Sequence, residues 1–182
     1  MFVRRLELAA GGVPRAMAPG LYREAMVPIR VTAPTESAAD QLTGVAGVFD
    51  QYRRHYGQPV VAGQTLAWLA EQTSHQRLAI FIAHVGEDLA GLATTMVVPA
   101  SLRLGSSWQL RDLYVVPSAR RRGVARALVG AVRRAATAAG AIRLSVQTEP
   151  GNIAALQLYR TSDFVPVEDI QTLALPLQRD GI

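Results

Sequence analysis

One segment constrains this chain more than any other. It reads Asp112-Leu113-Tyr114-Val115-Val116-Pro117-Ser118-Ala119-Arg120-Arg121-Arg122-Gly123-Val124-Ala125-Arg126-Ala127-Leu128. An apolar strand runs into a proline-marked turn, then three arginines and a glycine, then a helix-forming run. A helix starting there points its free backbone N–H groups and its positive dipole end out of a sheet. That arrangement binds anions, pyrophosphate above all. Gly123 lets a ligand approach the backbone closely, and the small Ala125 leaves room for it. Arg121, Arg122 and Arg126 add charge in a geometry suited to phosphate. Two other phosphate loops are absent: there is no G-x-G-x-x-G and no Gly-Lys-Ser/Thr.

Composition narrows the chemistry further. All 19 basic residues are arginine, which removes Schiff-base lysine chemistry and lysine self-acylation. There is no cysteine, hence no disulfide, thiolate metal site or cysteine nucleophile. A net charge of +5 raises the question of nucleic acid. The arginines are scattered, however, with few aromatics between them, so no nucleic-acid partner is expected. No apolar run is long enough to span a bilayer, and the first thirty residues lack the continuous apolar stretch of a signal peptide. The expectation is a cytoplasmic protein without a membrane or metal partner.

At 182 residues the chain is one domain by length. Residues 1–28 are broken by Gly11-Gly12, Pro14, Pro19-Gly20 and Pro28 and read as a loosely ordered extension, in which Met26 offers a later start. Residues 29–182 form the domain. Ile29 to Thr32 is a strand. A helix starts at Thr35 to Ser37 and carries Leu42, Val45, Val48, Phe49 and Tyr52 at helical spacing up to Gly57. Gln64 to Gln72 is a second helix. Leu78 to Val85 and Leu89 to Val98 form a hairpin around Gly86-Glu87-Asp88. Ser101 to Ser107 is a loop, and Trp108 to Val116 is the central strand. Gly123 to Ala139 is a helix with a Val124, Leu128, Ala131, Val132, Ala135 stripe, stopped by Gly140. Ile142 to Val146 is a strand, Asn152 to Arg160 a helix, and Phe164 to Val167 and Thr172 to Leu177 are closing strands. The class is α/β, of the α+β kind: a mixed, mostly antiparallel, twisted sheet of six to seven strands with about four helices.

A second constellation lies in Thr148 to Arg160. Asn152 and Tyr159 are seven residues apart, about two helical turns, so they share one helix face. Arg120-Arg121-Arg122-Gly123-Val124-Ala125 resembles the acetyl-CoA-binding signature of the GNAT superfamily of N-acyltransferases: Gln or Arg, two residues, Gly, one residue, Gly or Ala. Asn152 to Tyr159, followed by Asp163-Phe164, resembles that family's Asn-x-x-Ala-x-x-Leu/Phe-Tyr segment, with Asp163 where a glycine is usual. The resemblance spans about Ile29 to Leu177.

The resemblance implies an N-acetyltransferase that moves an acetyl group from acetyl-CoA to a primary amine, here of a small molecule, by direct attack in a ternary complex. It implies that Tyr114, Val115, Val116, Arg120 to Arg126, Asn152 and Tyr159 contact the co-substrate. It also implies that Tyr159 protonates the departing thiolate and that a backbone N–H near Val115 polarises the carbonyl. Relatives often carry a glutamate base at the position of Gln109, which cannot accept a proton. Asp112 is the nearest acid; it either serves as base or orients the substrate, and His84 and His55 are alternatives. Asp112 lies three residues from Gln109, on the opposite strand face unless a bulge intervenes. Tyr52-Arg53-Arg54-His55-Tyr56 lies in the region that shapes the acceptor site, and a homodimer is expected by analogy. The competing reading is a non-catalytic acyl-CoA-binding module with a degenerate acceptor site.

Overall fold

The computed structural model describes residues 28–32, 39–168 and 171–177. The expected extension lies outside these apart from Pro28, and so does the expected helix start at Thr35 to Ser37. Five strands form one sheet: β1 (Ile29–Thr32), β2 (Ala79–Val85), β3 (Asp88–Ala100), β4 (Gly105–Val115) and β5 (Arg143–Val146), ordered as in sequence. The first three pairings are antiparallel and β4 pairs parallel with β5. The parallel pair needs a crossover, supplied by α3 (Val124–Ala138).

Strand alternation divides the side chains between two apolar layers. Phe81, Ala83, Ala93 and Leu110 turn to one face, against Val124, Leu128, Val129 and Val132 of α3 and Tyr159 of α4 (Ile153–Arg160). Ile80, Ile82, Leu92 and Tyr114 turn to the other, against Val45, Val48 and Phe49 of α1 (Ala39–His55) and Leu69 of α2 (Gln64–Ser74). In α3 the buried set Val124, Leu128, Val132 and Ala136 repeats every four residues, as an apolar helix face requires. Gly140 follows its end with φ +67°.

Two expectations are corrected. The sheet has five strands among the described residues, not six to seven: Phe164 to Val167 and Thr172 to Leu177 join no ladder. Their alternating apolar residues Val165, Val167, Leu173, Leu175 and Leu177 are exposed. Alternation marks which face a strand would bury, but a strand also needs a neighbour. Pro166 and Pro176 each remove a ladder donor. The second correction is the loop expected over Ser101 to Ser107. β3 runs on to Ala100 and β4 begins at Gly105, with only a 3₁₀ turn (Ser101–Arg103) and Leu104 between them. Pro99 does not end β3, because β2 stops pairing at Thr95 and leaves that edge open. There a missing N–H forfeits no bond.

Gly91 is fixed by close strand packing. A Cβ there would lie 2.6 Å from the Tyr114 carbonyl oxygen and 3.2 Å from Val115 Cα, both backbone atoms. Gly91→Ala is therefore expected to destabilise the fold by about 1–3 kcal/mol, as overpacking does. Gly47, exposed in α1, has nothing within 4 Å of such a Cβ. Gly47→Ala should stabilise by about 0.5–1 kcal/mol through helix propensity. Urea unfolding of the two variants should give shifts of opposite sign.

Candidate active site

The site is organised by an irregularity in β4. Thr94 of β3 pairs with Asp112, but the next residue, Thr95, pairs with Leu110. Arg111 is the extra residue of a β-bulge, which shifts the alternation of the strand by one. Leu110 before it and Leu113 after it both pack on the α3 side. Gln109, paired with Met96, and Asp112, paired with Thr94, consequently fall on the same face, the one that α1 and α2 cover.

Asp112 is received there by two hydroxyls. Tyr52 of α1 donates to Oδ1 at 3.1 Å, and Thr94 donates to Oδ2. Burial raises the Tyr52 phenol well above its ordinary value, and the Asp112 charge and hydrogen bond raise it further. Phe49, Trp68, Leu78, Met96, Val97 and Arg111 are among the residues that line a cavity of about 600 Å³ beside this carboxylate. That volume is within the ~300–1,000 Å³ range of small-molecule sites.

The second part of the site lies where β4 leaves β5. Their parallel pairing covers only Ser107 to Leu110, so the strands part at the bulge. Val116 N–H bonds the Ala90 carbonyl at 3.0 Å. By alternation the N–H and C=O of Val115 turn away from β3, toward the opening. The Arg120 guanidinium donates to that carbonyl at 3.1 Å and lies 5.7 Å from the Tyr114 ring centroid. The Val115 N–H faces the open edge.

The turn after β4 delivers the α3 N-terminus to this opening. Arg121 and Gly123 both adopt left-handed backbone, at φ +59° and +86°. At Gly123 a Cβ would make only an ordinary contact, 3.7 Å from Ile29 Cδ1, so the conformation rather than crowding calls for glycine. Gly123 is the N-cap of α3 and provides no side-chain cap. The N–H groups of Val124, Ala125 and Arg126 thus begin the helix without an intrahelical acceptor. Arg121 and Arg122 are exposed, while Arg126 donates to Thr161 Oγ1 at 3.2 Å.

Tyr159 is buried, its ring 5.6 Å from that of Phe164. Burial, and to a lesser extent the Tyr56 phenol, push its pKa up to about 12. It therefore carries its proton throughout the neutral range. The rings of Tyr52 and Tyr56 lie 5.2 Å apart and those of Tyr52 and Tyr114 5.7 Å apart. The Tyr159 phenol is close enough to contribute to the shift at Tyr52. Asn152 is the N-cap of α4, its Oδ1 accepting from Ala155 N–H at 3.1 Å.

The two alternative bases differ in place. His84 is cross-strand from Arg30 and Leu89, with its Nδ1 buried and without a partner among the described residues. It lies four residues along β2 from Ile80, the neighbour of Thr94, a span of roughly 13 Å. His55 is exposed, its ring 6.3 Å from that of Tyr114. Nothing in the sequence singles out Thr94. A buried threonine in a strand looks alike whether it packs or bonds, and Thr95 beside it is equally buried.

With this geometry the comparisons with known proteins agree. Residues 44–164 match the Acetyltransferase (GNAT) family, and the chain belongs to that family. An uncharacterized N-acetyltransferase of Bacillus subtilis, YhfO, is 29% identical over 129 residues, covering 71% of this chain and 87% of that protein. The crystal structure of a probable acetyltransferase superimposes with a TM-score of 0.76 at 26% identity, over 83% of this chain and 99% of that one. An aminoglycoside acetyltransferase from an uncultured soil metagenomic sample shares the fold, with a TM-score of 0.70 at 17% identity over 82% and 97% of the two chains. The protein is an acyltransferase, an N-acetyltransferase of the GNAT family.

The raised phenols have a consequence for stability. Unfolded tyrosine ionises near 10.0, whereas Tyr52 and Tyr159 hold their protons to higher pH in the fold. Their contribution is complete below pH 10 and is lost as pH rises through the folded values. Unfolding free energy should fall between about pH 10 and 12, and less steeply in Tyr159→Phe. A variant that tracks the parent across that window would show that the Tyr159 phenol titrates normally.

Proposed function

We propose that the enzyme binds acetyl-CoA at the opening between β4 and β5 and transfers the acetyl group to a primary amine of a small molecule by direct attack in a ternary complex. One observation carries this reading: a central strand turns a backbone N–H away from its neighbour, with no partner among the described residues, beside a helix N-terminus without a side-chain cap and a cleft that holds a hydroxyl-bound carboxylate. The N–H groups of Val124, Ala125 and Arg126 suit a pyrophosphate, and Arg121 and Arg122 add charge. Asn152, Tyr114 and Val116 complete the co-substrate contacts in this reading.

Acetyl-CoA supplies the acyl group as a thioester. Asp112 pairs with the incoming ammonium in the cavity and accepts its proton, which frees the nitrogen lone pair for attack. Val115 N–H donates to the carbonyl oxygen as charge develops there. Tyr159, protonated at neutral pH, gives its proton to the departing sulfur. Gln109 shares the face of Asp112 and can hold the acceptor by its amide without moving a proton. The reading includes a homodimer, by analogy with relatives.

Thiol release from acetyl-CoA across a panel of primary amines tests the activity. Tyr159→Phe is expected to lower kcat by about tenfold or more with CoA affinity unchanged. Turnover equal to the parent would reduce Tyr159 to a packing residue. Gly123→Val should weaken CoA binding strongly, because valine resists the left-handed conformation; an unaltered affinity in the folded variant would remove the anion site from this turn. Asp112→Asn should lower kcat/KM and erase the acid limb of its pH profile, and a preserved limb would assign deprotonation to water or another group.

A further inference from the structure

The bulge has an effect beyond placing Asp112. Consecutive residues of a regular strand face opposite sides, yet Arg111 and Asp112 both line the cavity under α1 and α2. Two opposite charges thus stand side by side in one small pocket, and they do not form an ion pair with each other. Among the described residues Asp112 is bound by neutral hydroxyls only. Arg111 has no hydrogen bond or ion pair among the described residues. Arg77, also on the lining, is held by Glu71 at 3.3 Å. The rest of the wall is largely apolar: Phe49, Trp68, Leu78, Met96 and Val97.

We propose that the acceptor is a zwitterion, an amino acid with an apolar side chain, whose ammonium meets Asp112 and whose carboxylate meets the Arg111 guanidinium. This rests on the acetyl-transfer reading and names the substrate class of the same site. The two unmatched charges of the pocket ask for one cation and one anion in a single ligand. Guanidinium suits a carboxylate because its planar fork can donate two parallel hydrogen bonds. The aromatic and aliphatic wall takes the side chain. A polyamine fits poorly, since it would bring several positive charges past Arg111 and Arg77 to a single carboxylate.

Matched ligands separate the alternatives. Calorimetry on the full-length protein saturated with CoA would compare L-phenylalanine with phenethylamine, L-leucine with isoamylamine, and each with spermidine. In at least one pair the amino acid should bind roughly five- to tenfold tighter than its decarboxylated partner, the range of a partly exposed charge-assisted contact. Arg111→Gln should close that gap, and Arg111→Lys should keep part of it. Equal or tighter binding of the bare amines, a preference for spermidine, a gap that survives Arg111→Gln, or no binding by any member would each overturn the proposal. Thiol release run in parallel separates the two readings. A carboxylate-dependent binding gap without acetyl transfer would defeat the transferase role of the pocket and leave the zwitterion site. Acetylation of bare amines as fast as of amino acids would do the reverse.

Discussion

The extra residue at Arg111 is the constraint on which the site depends. Were Arg111 paired as in a regular strand, Asp112 would share the face of Leu110, against Leu128 and Val132 of α3, an apolar layer that would bury its charge. Burying an unpaired charge there would cost far more than any packing gain. With the bulge, β4 contributes Leu110 to the α3 layer, Asp112 to the α1–α2 cleft, and Leu113 to the α3 layer again. The pairing with β5 also ends at Leu110, so the residue that re-aims the strand is the one at which the sheet opens. A single local device thus sets both halves of the site: the acid in the cleft and the free backbone edge beside the α3 N-terminus.

The two halves differ in charge pattern: the turn carries positive groups alone, the cleft both signs. At the turn, helix dipole, uncapped N–H groups and arginines present positive potential to a ligand outside the chain. In the cleft, a carboxylate sits beside the Tyr52 phenol, whose ionisation it opposes. The same burial that keeps Tyr52 and Tyr159 neutral keeps their O–H groups as donors. In Tyr52 that donor is spent on Asp112. In Tyr159 no acceptor among the described residues takes it, which leaves the group to a bound molecule in the proposed reaction. Two tyrosines raised by the same cause therefore play different parts, decided by whether an acceptor lies within reach.

Much of this was legible in the sequence because it rests on short-range patterns. The α3 stripe, the Gly86 hairpin and the Arg-x-x-Gly-x-Ala turn each depend on residues within one or two turns of chain, and each stands as expected. The closing strands were not legible, because alternation in Phe164 to Val167 and Thr172 to Leu177 says nothing about whether a neighbour is present. The length of β3 was hidden by Pro99, whose effect depends on which edge is open, a fact of tertiary pairing. Thr94 was hidden for a related reason: its hydroxyl matters only because a residue eighteen positions away is delivered opposite it. The bulge itself leaves no mark in Leu110-Arg111-Asp112. It is visible only as a mismatch between two strands.

Gln109 and Asp112 bring these points together. In the family pattern a glutamate at the place of Gln109 would face the cleft from within a regular run of strand. Here that residue is an amide, and the carboxylate stands three positions on, a spacing that in an unbroken strand selects the wrong face. The register shift restores the face, and the hydroxyls that receive the displaced acid come from two other elements, Tyr52 on α1 and Thr94 on β3. An acid moved along a strand is useful only if backbone geometry and hydrogen-bond partners move with it, since a carboxylate is tolerated in a half-buried cleft only when its oxygens are satisfied. Arg111, Asp112, Tyr52 and Thr94 therefore form one unit. Straightening the strand would remove Asp112 from both hydroxyls and return Arg111 to the opposite side of the sheet from the acid.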